Sequence, residues 1–169
     1  MIHITTFESP IGQLTLAVRG ERVCLVHFGA RDLQVTAVLR RWYPEDPVEA
    51  HPDPAGAVSA FRSYFDGDFG ALDRIAVAMN GTSFQKRVWT ELRSVGAGTT
   101  IAYAGIARAI AAPSAVRAVG AANGANPVAV IVPCHRVIGT NGKLTGYGGG
   151  LNRKRWLLEH EGVQRSMFM

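Results

Sequence analysis

A thiol and an imidazole stand side by side in the run Ile131-Val132-Pro133-Cys134-His135-Arg136-Val137-Ile138. The thiolate is the soft nucleophile available to proteins, and it forms at neutral pH only beside a base or a positive charge. A free thiol titrates at roughly 8.5, so it is mostly protonated at pH 7. His135 supplies a candidate base and Arg136 a fixed charge. Three chemistries compete for such a cysteine: an inert buried thiol, a metal ligand, and a nucleophile. Adjacency to histidine does not decide among them.

The surrounding motifs do. Pro-Cys-His-Arg-Val, preceded by Asn126-Pro127 and followed by Gly146-Tyr147-Gly148-Gly149, resembles the active-site region of the O6-alkylguanine-DNA alkyltransferases. The resemblance extends in order through Gly81-Thr82-x-Phe84-Gln85-x-x-Val88-Trp89, Arg117-Ala118-Val119-Gly120 and Trp156-Leu157-Leu158-Glu159-His160-Glu161-Gly162. Ser9-Pro10-Ile11-Gly12-x-Leu14-x-Leu16 is similar to the family's opening strand. Members of this family repair DNA by moving an alkyl group from guanine O6 onto their own cysteine.

The resemblance implies a set of roles. Cys134 is the acceptor, His135 takes the thiol proton through a water, and Glu161 holds that histidine in one tautomer. Glu159 and Glu161 project about 200° apart on a helix, so they cannot both serve His135. Tyr103 donates a hydrogen bond to the departing purine, with Lys154 assisting it, and Asn126 braces the turns. Val137 offers a carbonyl to the guanine amine, while Tyr147, Gly148 and Gly149 line the base pocket. Arg117 enters the stack vacated by a flipped nucleotide. Ser114, Ala118, Ala121, Ala122 and Asn123 share its segment as DNA contacts, a row poor in groups for reading base edges and suited to close minor-groove approach. The implied partner is double-stranded DNA carrying O6-alkylguanine, read with little sequence preference by a monomer that clusters cooperatively. Thymine O4 is the related target left open. The transfer is irreversible, runs once per molecule, and needs no metal or other cofactor; Cys24-x-x-His27 offers too few ligands for structural zinc.

These groups need a scaffold. Ile2-His3-Ile4 and Leu14-Thr15-Leu16-Ala17-Val18 read as a hairpin turned by Ser9-Pro10-Ile11-Gly12, and Val23 to Phe28 as a third strand. Helices are expected over 33–42 and 57–65, with a loop between them broken by Pro44, Pro47, Pro52 and Pro54, and a strand over 75–79. The expected first domain, 1–79, is thus a small antiparallel sheet with helices, an α/β scaffold that the resemblance makes ribonuclease-H-like. The second, 80–169, is mainly α and carries the chemistry. Thr82-x-x-Gln85 is a capping-box pattern opening its first helix. A short helix over 103–110 and another capped by Ser114 and running to about 125 form a helix-turn-helix, winged in the family. A glycine-rich loop follows over 139–150, then a final helix over 153–161. Where family members carry a side-chain cap before the tyrosine helix, this chain has Ala102.

Charge divides the same way. Residues 1–80 hold 7 basic and 10 acidic side chains, a net of −3, while residues 81–169 hold 11 basic and 3 acidic, a net of +8. A basic region beside a reactive thiol suits a polyanionic partner. No apolar run approaches the ~20 residues of a membrane span, and the N-terminus lacks a signal-peptide pattern. Two cysteines without a Cys-x-x-Cys motif suit a reducing, cytoplasmic setting. Competing functions are a lesion sensor without chemistry, which the presence of Cys134 opposes, a cysteine hydrolase, and a helix-turn-helix regulator.

Overall fold

A computed structural model describes residues 1–168, and by its contacts the chain divides into two compact units with the boundary between Asn80 and Gly81, denoted Met1–Asn80 and Gly81–Met169. In the first unit, β1 (Ile2–Ser9) and β2 (Gly12–Arg19) form an antiparallel hairpin in unbroken register from Ile2↔Arg19 to Ser9↔Gly12. Ser9 closes the turn: its hydroxyl donates to the Gly12 carbonyl at 2.6 Å and accepts from the Ile11 N–H at 3.2 Å. Gly12 has φ 95, a conformation that costs glycine no steric penalty. β3 (Arg22–Phe28) pairs antiparallel with β2.

β4 (Val48–Ala50) adds to the other side of β1 in parallel, giving the order β3-β2-β1-β4. The sheet is therefore mixed, not antiparallel. The segment between the prolines, expected as loop, forms this strand because Pro47 and His51 bracket it. The Pro47 carbonyl accepts from Ile2 N–H at 2.8 Å, and His51 N–H donates to the Ile4 carbonyl at 3.1 Å. The strand expected over 75–79 is reduced to one bridge, Val77 against Val23.

β2 buries five consecutive residues, Leu14 to Val18, so both faces of the sheet are covered. On one side, α1 (Leu33–Trp42) lays Val35 and Leu39 against Ile2, Ile4, Ala17, Cys24 and Leu25. Asp32 caps α1 by accepting from Val35 N–H at 2.9 Å. α2 (Ala57–Phe65) brings Phe61 to Phe7, with ring centroids 5.7 Å apart.

The second unit opens with α3 (Ser83–Leu92), whose capping box is complete: Thr82 Oγ1 accepts from Gln85 N–H at 3.1 Å and Gln85 Oε1 accepts from Thr82 N–H at 2.9 Å. A Cβ at Gly81 would lie 2.4 Å from the Trp89 ring, so only glycine fits under that indole. Trp89 is buried and its Nε1–H donates to the Ala122 carbonyl at 2.7 Å, tying α3 to α5 (Val116–Gly124). α4 (Tyr103–Ala109) packs on both. The turn from α4 to α5 passes through Ala111 at φ 58. Ser114 does not cap α5: residues 112–115 form a turn closed by the Ala115 N–H on the Ala112 carbonyl at 2.9 Å, and the helix starts one residue later with no side-chain cap. β5 (Ile101–Ala102) and β6 (Val137–Ile138) form a two-stranded parallel sheet, and α6 (Leu151–His160) buries Lys154, Leu157 and Leu158. No described helix is long and apolar enough to cross a membrane.

Candidate active site

Cys134 opens a single 3₁₀ turn, Cys134–Arg136, that leads directly into β6. The preceding Pro133 and the bond from Cys134 N–H to the Val132 carbonyl at 2.8 Å fix where the turn begins. The thiol is buried, at 4% exposure. Burial pushes its pKa up, against a hydrogen bond from Asn126 and the charge of Lys154, which pull it down. Asn126 is itself held at both ends of its amide: Nδ2 donates to the Val132 carbonyl at 2.8 Å and Oδ1 accepts from Val128 N–H at 3.0 Å.

His135 is completely buried, and its Nε2 lies 2.8 Å from Glu161 Oε1. Arg136 grips the same carboxylate from the other side, with Nε donating to Oε2 at 3.0 Å and Nη2 to Oε1 at 2.8 Å. Its Nη1 donates to the Val95 carbonyl beyond α3 at 2.5 Å. Burial alone would push the Glu161 carboxyl up, but His135 and the Arg136 guanidinium outweigh it and hold the group well below the usual carboxylate range. Burial, with the Arg136 and Lys154 charges, pushes the His135 pKa down despite Glu161. The consistent state is an ionised Glu161 accepting from a neutral His135 Nε2–H. Nδ1 then carries the lone pair, and among the described residues it has no hydrogen-bond partner. This is an imidazole oriented at one nitrogen and basic at the other. Glu159 is exposed and paired with Arg165 at 2.9 Å instead.

Lys154 is fully buried on α6, and desolvation lowers its pKa to about 8 against the pull of Cys134. Its Nζ donates to the Thr145 carbonyl at 3.0 Å. The Thr145 hydroxyl lies 2.8 Å from the Tyr103 hydroxyl. Tyr103, the first residue of α4, thus reaches the loop that also receives Lys154. Val137 is buried in β6, Gly149 is buried and accepts from Arg153 at 2.9 Å, Tyr147 is half-buried and Gly148 is exposed. Cys134, His135, Glu161, Asn126 and Lys154 therefore converge. Arg117, Ser114, Ala118 and Ala121 are exposed together along α5 and the turn before it. Ala122 and Asn123 are not on that face: they are 2% and 4% exposed, the first under Trp89 and the second donating to the Cys134 carbonyl at 3.4 Å. Neither side chain is available to DNA.

Two residues escaped the sequence reading of the site. Arg136, expected as a charge beside the thiol, anchors the carboxylate instead; its adjacency to His135 was the only signal. Thr145 had none.

A buried thiol next to a neutral imidazole, fixed in turn by an ionised carboxylate, is the arrangement of a protein whose own cysteine performs nucleophilic chemistry. Residues 83–163, which contain all of these groups, match the model of the 6-O-methylguanine DNA methyltransferase DNA-binding domain. The chain is 48% identical over 164 residues to the methylated-DNA–protein-cysteine methyltransferase of Mycobacterium bovis, an alignment covering 95% of this chain and 93% of that one. Its small mixed sheet and helices match the crystal structure of the Mycobacterium tuberculosis O6-methylguanine methyltransferase with a TM-score of 0.78, at 44% identity over 95% of this chain and 93% of the other. The Mycobacterium tuberculosis OGT in complex with DNA matches equally, with a TM-score of 0.78 at 43% identity over 98% and 94%. The chain belongs to the methylated-DNA–protein-cysteine methyltransferase family.

Proposed function

We propose that the protein repairs O6-alkylguanine in double-stranded DNA by moving the alkyl group irreversibly onto Cys134. The observation that carries this reading is that the two residues following the buried thiol, His135 and Arg136, are both hydrogen-bonded to the Glu161 carboxylate at the end of α6. His135 Nδ1 takes the thiol proton through a water, and the imidazolium is stabilised by Glu161. The sulfur attacks the alkyl carbon from behind, an S–C bond forms, and the C–O6 bond breaks with its electron pair passing to guanine. Tyr103 supplies a hydrogen bond to the purine as negative charge develops, and the Lys154 ammonium stabilises the charge nearby. The purine anion regains a proton from Tyr103, which recovers its own through water from the His135 imidazolium, so the products are S-alkylcysteine and neutral guanine with His135 and Tyr103 in their starting states. A thioether is a poor electrophile, and nothing in this set cleaves a carbon–sulfur bond, so each molecule reacts once.

The helix pair α4–α5, with β5 and β6 nearby in sequence, serves in this reading as a winged helix-turn-helix. Met1–Asn80 serves as scaffold and Gly81–Met169 as the DNA-binding and catalytic unit. Arg117 is the long side chain on the exposed row of α5 otherwise made of Ser114, Ala118 and Ala121, which favours minor-groove approach and insertion of Arg117 behind a flipped nucleotide. Val137, Tyr147, Gly148 and Gly149 line the base pocket.

Intact-mass measurement after mixing with duplex DNA containing O6-methylguanine tests the reading. One methyl mass added per protein, mapping to the Cys134 peptide and unchanged at long times, is expected. Repeated turnover, or alkylation at Cys24, contradicts it. Arg117→Ala is expected to slow repair of duplex much more than reaction with free O6-benzylguanine, since only the duplex requires extrusion; equal losses would make Arg117 structural. Affinity for unmodified duplex should fall with salt on a log–log slope of about −0.9 per phosphate contacted.

A further inference from the structure

Thr145 touches both the phenol and the ammonium of the site. Its hydroxyl is 2.8 Å from that of Tyr103, 42 residues away in sequence, and its carbonyl accepts from Lys154 Nζ at 3.0 Å. Lys154 is fully buried, with Cys134 close enough to act on its charge. The carbonyl arm fixes Thr145 against a rigid helix, because a buried ammonium without an acceptor would be strongly unfavourable. The hydroxyl arm then has a defined position from which to hold Tyr103.

We propose that Thr145 is a positioning residue for alkyl transfer, its hydroxyl donating to the Tyr103 oxygen so that the phenolic proton is directed to the departing purine. The inference rests on the role of Tyr103 proposed above. In the resting protein either hydroxyl can be the donor. Once the purine accepts from Tyr103, the phenolic proton is committed and Thr145 must donate. A phenol that accepts one hydrogen bond is a stronger donor in the next, and the effect grows when water is excluded by the docked base. As the purine becomes anionic, Tyr103 acquires partial phenolate character, which the Thr145 hydroxyl stabilises. Thr145 touches no reacting atom in this scheme; it acts through Tyr103.

Thr145→Val keeps the shape and the carbonyl but removes the hydroxyl, and Thr145→Ser keeps both polar arms. The second-order rate of methyl transfer from O6-methylguanine duplex, and the rate of Cys134 alkylation by iodoacetamide, are measured for each. Iodoacetamide has no purine to protonate, so it reads the thiol side alone. Thr145→Val is expected to slow methyl transfer about tenfold, the effect of one hydrogen bond to a group developing charge. It should leave iodoacetamide alkylation within about twofold, and Thr145→Ser should restore transfer to within about twofold, on the same hydrogen-bond argument. In a Tyr103→Phe background, Thr145→Val should add less than about twofold, because the two side chains act as one unit. Methyl transfer by Thr145→Val at the wild-type rate, failure of Thr145→Ser to restore it, or an undiminished effect in the Tyr103→Phe background would each overturn the inference. Absence of methyl transfer to Cys134 in the unsubstituted protein would instead overturn the function proposed above, a different and separately visible result.

Discussion

Met1–Asn80 and Gly81–Met169 each contain one cysteine, and both thiols are buried and pushed up by desolvation. What surrounds them differs. Cys24 sits among Ile2, Ile4, Ala17, Leu25, Val35 and Leu39, with its S–H on the Ala17 carbonyl at 3.3 Å, and its pKa rises to about 11. Cys134 sits with Asn126 and Lys154, and the residue after it begins the buried ion network. The contrast is general to the two units. Of the buried polar side chains described, only Thr15 lies in the first unit, while Asn123, His135, Arg136, Lys154 and Glu161 lie in the second. Buried polar groups cost free energy unless fully paired. Such groups concentrated around one thiol mark where stability has been given up for chemistry, and the first unit shows the same fold-building rules without that demand.

The largest difference should appear on replacing the two thiols. Cys134→Ser is expected to reduce methyl transfer at least about a thousandfold, since an alcohol ionises far less readily than a thiol, while DNA binding persists. Cys24→Ser should leave transfer at the wild-type rate. Mass spectrometry of each variant after incubation with O6-methylguanine duplex reads both outcomes, and a reversal would exchange the roles assigned to the two units.

Ion pairs offer the next contrast. Glu161→Gln leaves Arg136 buried without its anion, and it replaces one of the two accepting oxygens with an amide NH2 that cannot accept from His135 or Arg136. A loss of about 3–5 kcal/mol in unfolding free energy is expected, together with slower transfer. Asp46 in the first unit meets Arg19 at 2.5 Å, but at a solvated surface, so Asp46→Asn should move the urea midpoint far less. Comparable shifts for the two variants would mean that Glu161 is not held as the geometry indicates.

The pH dependence sharpens the comparison because Lys154 and Cys24, one buried group from each unit, titrate with opposite signs. Lys154 has a folded pKa of about 8 against 10.5 unperturbed, so between these values the unfolded chain binds more protons, and this group's contribution to stability rises with pH. Below pH 8 the lysine is charged in both states and its burial is a standing cost, on the order of 3 kcal/mol by the pKa difference. Cys24, raised from 9 to about 11, works the other way: the folded protein holds its proton longer, and its contribution is lost as pH rises through that window. Lys154→Met should therefore be more stable than the unsubstituted protein at pH 7, with the gap closing toward pH 10.5. Urea midpoints at both pH values measure it; a gap that widens with pH would show that Lys154 is not buried as a cation.

How much of this was legible in sequence depends on whether a feature is local. α1 and α2 follow from amphipathic periodicity and flanking breakers, and the structure places them over Leu33–Trp42 and Ala57–Phe65. The α3 capping box is local too. β4 is not: three residues between prolines become a strand only because β1 is available to pair with them in parallel. The buried face of α5 was illegible for a different reason. A helix of alanines and glycines has almost no contrast between faces, so nothing in it marks Ala122 and Asn123 as inner and Ala118 and Ala121 as outer. The cysteine motif announced itself by residue type, whereas Thr145 enters the site only through contacts to Tyr103 and Lys154 that the loop geometry creates.

The smallest expected effect concerns two helix starts in the same unit. Thr82 and Gln85 satisfy each other's backbone donors at α3, whereas Ala102 gives α4 no side-chain cap. The Thr99 hydroxyl, upstream of this start, donates to the Gly96 carbonyl at 2.6 Å and not toward α4. Ala102 has φ −79 and ψ 156, the extended conformation an N-cap residue adopts, so a serine needs no backbone adjustment. Its hydroxyl oxygen would accept from the N–H of Gly105, at the third helical position. Gly105 must stay glycine, because a Cβ there would lie 2.7 Å from Ile101 Cγ1; the reciprocal half of a capping box is thus closed to this helix. Ala102→Ser should therefore stabilise by a few tenths to about 1 kcal/mol, and Thr82→Ala should destabilise by about 1 kcal/mol. For a chain of this size that corresponds to about 2–4 °C per kcal/mol in thermal midpoint. Because Tyr103 is the first residue of the capped turn, Ala102→Ser should also leave methyl transfer at least as fast as before. A midpoint that falls on introducing the serine would mean that the Ala102 methyl, half-buried between Ile101 and Tyr103, matters more as packing than the missing acceptor does as a cap.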